Sequence, residues 1–288
     1  MSRMSEPRWG RRDFLRLSAQ AGGMLGLSQI MDAVAAPRGQ HHSAKAADGT
    51  AIYFETHGQR SKPAIFMGPH FYSGRTKHDD SFTDVWIQGL QQDFFLIVAD
   101  YPRGMGRTAH PQGSAFSPDI AAEEYKRIAD AAGVSRFGWL GYSFGGAMGV
   151  QVACRTNRVA ALAVGGFPPL NAPFQQMMEV STKIANAPPP LPKSLKSWDP
   201  GILWSAVGFY TPLTHWPERQ EISKLTMPRM VFMGDHDAPE LAGNLRAVED
   251  ELRTLGWQIN WLEGQDHAGA MKPAVSLPVV RKFFRETL

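Results

Sequence analysis

The sequence is poor in cysteine: Cys154 stands alone in 288 residues. An internal disulfide is therefore impossible, and no C-x-x-C pair exists to bind zinc or shuttle electrons. Long apolar runs are also missing. A membrane-spanning helix needs about 20 apolar residues, whereas the apolar stretch near the N-terminus is short and broken by Asp32. Charge of one sign does not accumulate either, since 30 Lys and Arg face 27 Asp and Glu. Of the formal charge of +3, residues 1–35 hold +2, from five arginines against Glu6, Asp13 and Asp32. The remainder lacks the basic stripe that tracking a phosphate backbone requires, so no nucleic-acid partner is implied. H-E-x-x-H is absent, and neither G-x-G-x-x-G nor a P-loop follows a strand. No metal and no nucleotide cofactor is implied.

What is present suits a globular protein: 43% of residues are hydrophobic and 20% charged, enough for one large domain or two small ones. Ahead of it, a positively charged start, a modest apolar stretch and the small residues of Ala33-Val34-Ala35-Ala36 form the pattern of an export signal rather than a membrane anchor. Arg11-Arg12-Asp13-Phe14-Leu15-Arg16 resembles the twin-arginine signal, which bacterial export machinery reads as an address. The expectation is a signal peptide over 1–35, cleavage after Ala35, and a periplasmic or secreted domain over 36–288. His41-His42 would fall just behind that cleavage point.

Apolar runs bounded by turn residues predict strands in AIYFETHG, PAIFMG, DFFLIVAD, RFGWLGYS, RVAALAVGGF, PRMVFMGDHD and QINWLEG. DFFLIVAD shows no polar alternation, as expected of a strand buried on both faces. SPDIAAEEYKRIADAAG carries helical spacing, with Ser117 or Asp119 placed to cap and Gly133 to stop. GGAMGVQVACRT and PELAGNLRAVEDELRTLG read as further helices, and Cys154 in the first of them as a packing residue. Strand and helix alternation predicts an α/β fold, a mostly parallel twisted sheet with helices on both faces. Ligands of such sheets gather beyond the carboxyl ends of the strands. Residues 168–225 interrupt the alternation with prolines that forbid long helices, and with Trp198, Trp204 and Trp216. They are expected to pack as a small cap or lid.

Gly141-Tyr142-Ser143-Phe144-Gly145 fits G-x-S-x-G, between a predicted strand and a predicted helix. Glycines on both sides let strand and helix approach while the serine takes strained dihedrals at the tip. A serine hydroxyl attacks poorly at neutral pH unless a base takes its proton and a third group orients the base. Two later strand ends, MGDHD and EGQDHAG, supply an acid and a histidine in the order Ser, Asp, His.

On these residues the sequence resembles the α/β-hydrolase superfamily over 48–288, including VADYPRGMGRT, which is similar to the family's turn after an early strand. The resemblance implies Ser143 as nucleophile, His267 as general base and Asp237 as the acid, with Asp235 in reserve. Asp100 and Arg103 take structural parts. The oxyanion hole would draw one N–H from Phe144 and one from the main chain of His70, whose alternative parts are an imidazole in the pocket or a plain loop histidine. Here the chain departs from the family's usual His-Gly, because Gly68-Pro69-His70 places a proline without an N–H in that turn. A serine rather than an aspartate at the elbow implies acyl transfer to water from a small apolar ester. The same constellation serves lactonases, carbon–carbon bond hydrolases, aminopeptidases and cofactor-free peroxidases, and a silent member could bind a ligand without turnover. Trp198, Trp204, Phe209, Tyr210 and Trp216 either shape an apolar acyl or alcohol pocket or for the most part only pack the cap.

Overall fold

The strands of the computed structural model, in chain order, are β1 (Gln40–Lys45), β2 (Ala51–His57), β3 (Ala64–Met67), β4 (Phe95–Ala99), β5 (Phe137–Tyr142), β6 (Val159–Gly165), β7 (Arg229–Gly234) and β8 (Trp257–Leu262). The structure describes residues 39–69, 81–111, 115–186 and 201–288, so the expected signal peptide, His70 and Trp198 lie outside the described residues. The strands form one sheet in the order β1-β2-β4-β3-β5-β6-β7-β8. β2 runs antiparallel to both neighbours, and every pair from β4 to β8 is parallel.

Side-chain alternation along the parallel strands builds two cores. Phe66, Ile97, Trp139, Leu162 and Val231 point to one face, where they meet α2 (Pro118–Ala131) and α3 (Phe144–Arg155). Ile65, Leu96, Leu140, Ala163 and Phe232 point to the other, against α1 (Ser81–Leu90) and the C-terminal helix (Pro273–Thr287). Covering on both faces explains why β4 is buried at all five positions and shows no alternation in polarity. Each large apolar side chain so enclosed contributes roughly 1.5–3 kcal/mol. Helix α2 starts as its sequence foretells: the Ser117 side chain accepts from the Ile120 N–H, Pro118 opens the first turn, and Gly133 follows the end at φ 69°.

The turn after β4 is tied down by its own side chains. The Asp100 carboxylate accepts from the Arg107 N–H at 2.8 Å. Arg103 is 5% exposed and holds the buried Glu124 of α2 and the half-exposed Asp48 of the β1–β2 turn. Both residues thus do structural work in this fold.

Two parts of the chain differ from expectation. Gln40–Lys45 adds an edge strand that no apolar pattern announces, since four of its six residues are exposed. Its side-chain support is the buried Ala44 and the His42 ring, stacked 5.1 Å from Phe54. Between 168 and 225, prolines were expected to forbid long helices, yet α4 (Phe174–Asn186) runs 13 residues and α5 (Gly201–Tyr210) runs 10. Pro173 precedes α4, where its missing N–H costs nothing, and its carbonyl accepts from Met177. A 3-10 turn (Thr211–His215) and α6 (Glu218–Ile222) complete this region. The Glu218 carboxylate accepts from the N–H groups of Asn171 and Ala172 at 2.6 and 3.2 Å, clamping its two ends together. Cys154 packs on the core of α3, and burial pushes its thiol up to about 12, which leaves almost no thiolate at neutral pH.

Candidate active site

Strand β5 ends at Tyr142 and helix α3 begins at Phe144, so the direction of the chain reverses at Ser143 alone. Ser143 sits at φ 52°, ψ −117°, a conformation that costs a non-glycine residue roughly 1–3 kcal/mol. The surroundings fix it. Its N–H bonds the Gly165 carbonyl at 2.8 Å, and its carbonyl accepts from Ala147 at 3.0 Å. A Cβ on Gly141 would stand 2.1 Å from the Gly145 carbonyl oxygen, and one on Gly145 would stand 2.3 Å from the Pro69 carbonyl oxygen. The two glycines of G-x-S-x-G therefore serve close contacts between strand, helix and the segment after β3. Trp139 braces the same point, its indole N–H donating to the Gly145 carbonyl at 3.0 Å.

The later strand ends bring a second group to this edge of the sheet. The loop after β7 carries Asp237, and His267 opens a short helix (His267–Met271) after β8. His267 Nδ1 lies 2.8 Å from Asp237 Oδ2 and 3.1 Å from Oδ1, with both residues buried. A ring whose Nδ1–H donates to a carboxylate keeps Nε2 as an acceptor. The two loops are stitched by backbone bonds from Asp235 N to Leu262 O and from His236 N to Gln265 O. Among the described residues no hydrogen bond joins Asp235 to His267: its carbonyl takes the Arg246 guanidinium, and its carboxylate Oδ1 is buried without a hydrogen-bond partner. His236 is exposed.

Tyr142, immediately before Ser143, reaches across to the histidine loop. Its hydroxyl donates to the His267 carbonyl at 2.7 Å, and the two ring centroids are 5.1 Å apart. Burial and the charges of Asp237 and Asp266 push its phenol well above the usual tyrosine value, so it remains a donor. Sequence reasoning passed over this residue; its partner is 125 positions away and main-chain, which leaves no residue-type signal. No hydrogen bond joins the Ser143 hydroxyl to His267 among the described residues. In unliganded enzymes that contact is often long and tightens with substrate.

Above the elbow, the Phe144 ring packs 5.0 Å from Phe209 and 5.8 Å from Tyr210. Phe174 and Trp216 continue the aromatic chain at 6.1 Å, and Trp204 faces solvent at 48% exposure. Phe209 and Tyr210 are thus buried packing residues. A separate polar cleft of about 420 Å³, lined by His42, Thr56, His57, Arg60 and Gln91, includes the first residue of β4, at the end of the sheet opposite Ser143.

A family model described as the alpha/beta hydrolase fold matches residues 71–191, which include the serine elbow. Solved structures agree across the chain. An enol-lactonase from Burkholderia xenovorans LB400 is 19% identical, covering 85% of this chain and 100% of its own at a TM-score of 0.60. An esterase from Rhodococcus sp. ECU1013 is 18% identical, with coverage of 86% and 99% and a TM-score of 0.59. A bromoperoxidase from Bacillus anthracis is 15% identical, with coverage of 85% and 100% and a TM-score of 0.64. No curated protein matches the sequence. The family model and these structures together show the α/β-hydrolase fold.

Proposed function

We propose that the protein is a serine hydrolase that splits a small apolar ester through an acyl-enzyme. The observation that carries this reading is the strained Ser143 at the end of β5, with a buried imidazole–carboxylate pair, His267 and Asp237, at the ends of neighbouring strands. His267 Nε2 takes the Ser143 proton as Oγ bonds the carbonyl carbon. The negative oxygen that forms is held by the Phe144 N–H and the main chain of His70. Collapse breaks the ester C–O bond, and the alcohol leaves with the proton from His267. Water then gives a proton to His267 and attacks the acyl carbon, releasing the acid and restoring Ser143. Asp237 keeps the imidazole in the tautomer that can accept and stabilises it once charged.

A fluorophosphonate probe tests the central claim, because only an activated serine is phosphonylated. Wild type should label to one equivalent and Ser143→Ala should not label. An unreactive wild type would favour a ligand-binding protein with no turnover. The structural likeness to an enol-lactonase makes a panel of lactones and amides beside nitrophenyl esters the way to rank substrates.

Export by the twin-arginine route is proposed from Arg11 and Arg12. Changing both to Lys should leave the protein in the cytoplasm of the producing bacterium; an unchanged periplasmic fraction would remove that proposal.

A further inference from the structure

We propose that Tyr142 is a positioning residue, a strut that sets the distance between the serine elbow and the histidine loop through its hydroxyl bond to the His267 carbonyl. The inference rests on the serine-hydrolase reading above. Ser143 and His267 come from strands separated in the sheet by β6 and β7, so their spacing depends on what spans those strands.

The side chain of Tyr142 does span them. A Cβ on Gly165 would stand 2.4 Å from Tyr142 Cδ2, and one on Gly166 would stand 2.5 Å from Cζ. Two successive glycines at the end of β6 therefore make room for the ring. On its far side the ring packs 5.9 Å from Phe232 of β7. The elbow is bonded to the same place, through Ser143 N–H to the Gly165 carbonyl, and Gly166 N–H continues to the Phe232 carbonyl. A rigid ring thus runs from the residue beside the nucleophile, beneath a glycine pair and along β7, to the backbone of the base. Asp237 orients the imidazole from its Nδ1 side, whereas Tyr142 fixes the main chain that carries it.

A half-buried tyrosine that merely satisfies its hydroxyl on the nearest carbonyl would affect stability and nothing else. The two cases separate in Tyr142→Phe. Loss of the strut should lower kcat on a nitrophenyl ester and the rate of fluorophosphonate labelling by about tenfold, with KM nearly unchanged. Rates are taken per titrated active site, so that a less stable variant does not imitate a slower one. In a His267→Ala background the same change should add no further loss to the residual rate, since Tyr142 acts only through His267.

A Tyr142→Phe enzyme with wild-type kcat per site overturns the proposal and leaves the serine hydrolase intact. An equal loss with and without His267 also overturns it. A wild type that fails to label overturns both readings together.

Discussion

Asp237→Asn should lower kcat on a short-chain nitrophenyl ester by about four orders of magnitude, the size of effect seen when such an acid loses its charge. Asp235→Asn should stay close to wild type. The difference follows from which atoms face His267. Both oxygens of Asp237 lie within 3.1 Å of Nδ1, so the ring donates there and Nε2 is free to accept the serine proton. An asparagine can present its N–H₂ to Nδ1, which drives the proton to Nε2 and leaves nothing to receive the one on Ser143. Asp235 is held elsewhere: its N–H bonds Leu262 and its carbonyl takes Arg246. Steady-state rates of the two variants decide the matter, and a large loss in Asp235→Asn with little in Asp237→Asn would reverse the assignment.

Arg103→Ala should destabilise the fold by about 3–5 kcal/mol, the usual penalty for leaving a buried charge without its partner. Arg103 Nε donates to Glu124 Oε1 at 2.9 Å, and a second guanidinium nitrogen bonds the same oxygen. Glu124 is 3% exposed, so water cannot replace the lost cation. Adding Glu124→Gln to a methionine at 103 should recover most of the loss, because the stranded charge goes with its partner. Urea unfolding of the three proteins measures this; a small loss in Arg103→Ala would mean that Glu124 finds another partner. Asp48 adds a pH dependence. Arg103 and the Thr50 N–H hold its carboxyl well below the usual carboxylate range. Its contribution is therefore present above the unfolded-state value of about 4 and fades as pH falls through the lowered folded value. Half exposed, it is the minor member of the cluster.

How much of this was readable in the sequence varies by element. The buried parallel strands announced themselves, because a strand covered on both faces needs apolar residues at every position, as Phe95–Ala99 has. The elbow was equally legible: glycines on either side of a serine between strand and helix have few other uses, and Ser143 occupies that turn. Asp237 and His267 followed from order along the chain, although only coordinates could separate Asp237 from Asp235, two residues apart on one loop. Strand β1 was hidden because an exposed edge strand stabilised by main-chain pairing to β2 needs no apolar pattern. Helices α4 and α5 were hidden by the prolines around them, which limit where a helix begins more than whether one forms. Tyr142 left no trace, since its partner is a carbonyl that any residue would supply.

Phe144 belongs to two parts of the molecule at once. Its main chain starts the helix behind the serine, while its ring is embedded among Phe209 and Tyr210. The serine elbow and the helix that ends at Tyr210 consequently share a residue. Exchanging 168–225 for the corresponding segment of a relative would reach beyond that segment, because any replacement lacking that aromatic pair unseats the side chain whose amide stands next to Ser143. Any segment exchanged into this place must carry its own match for position 144.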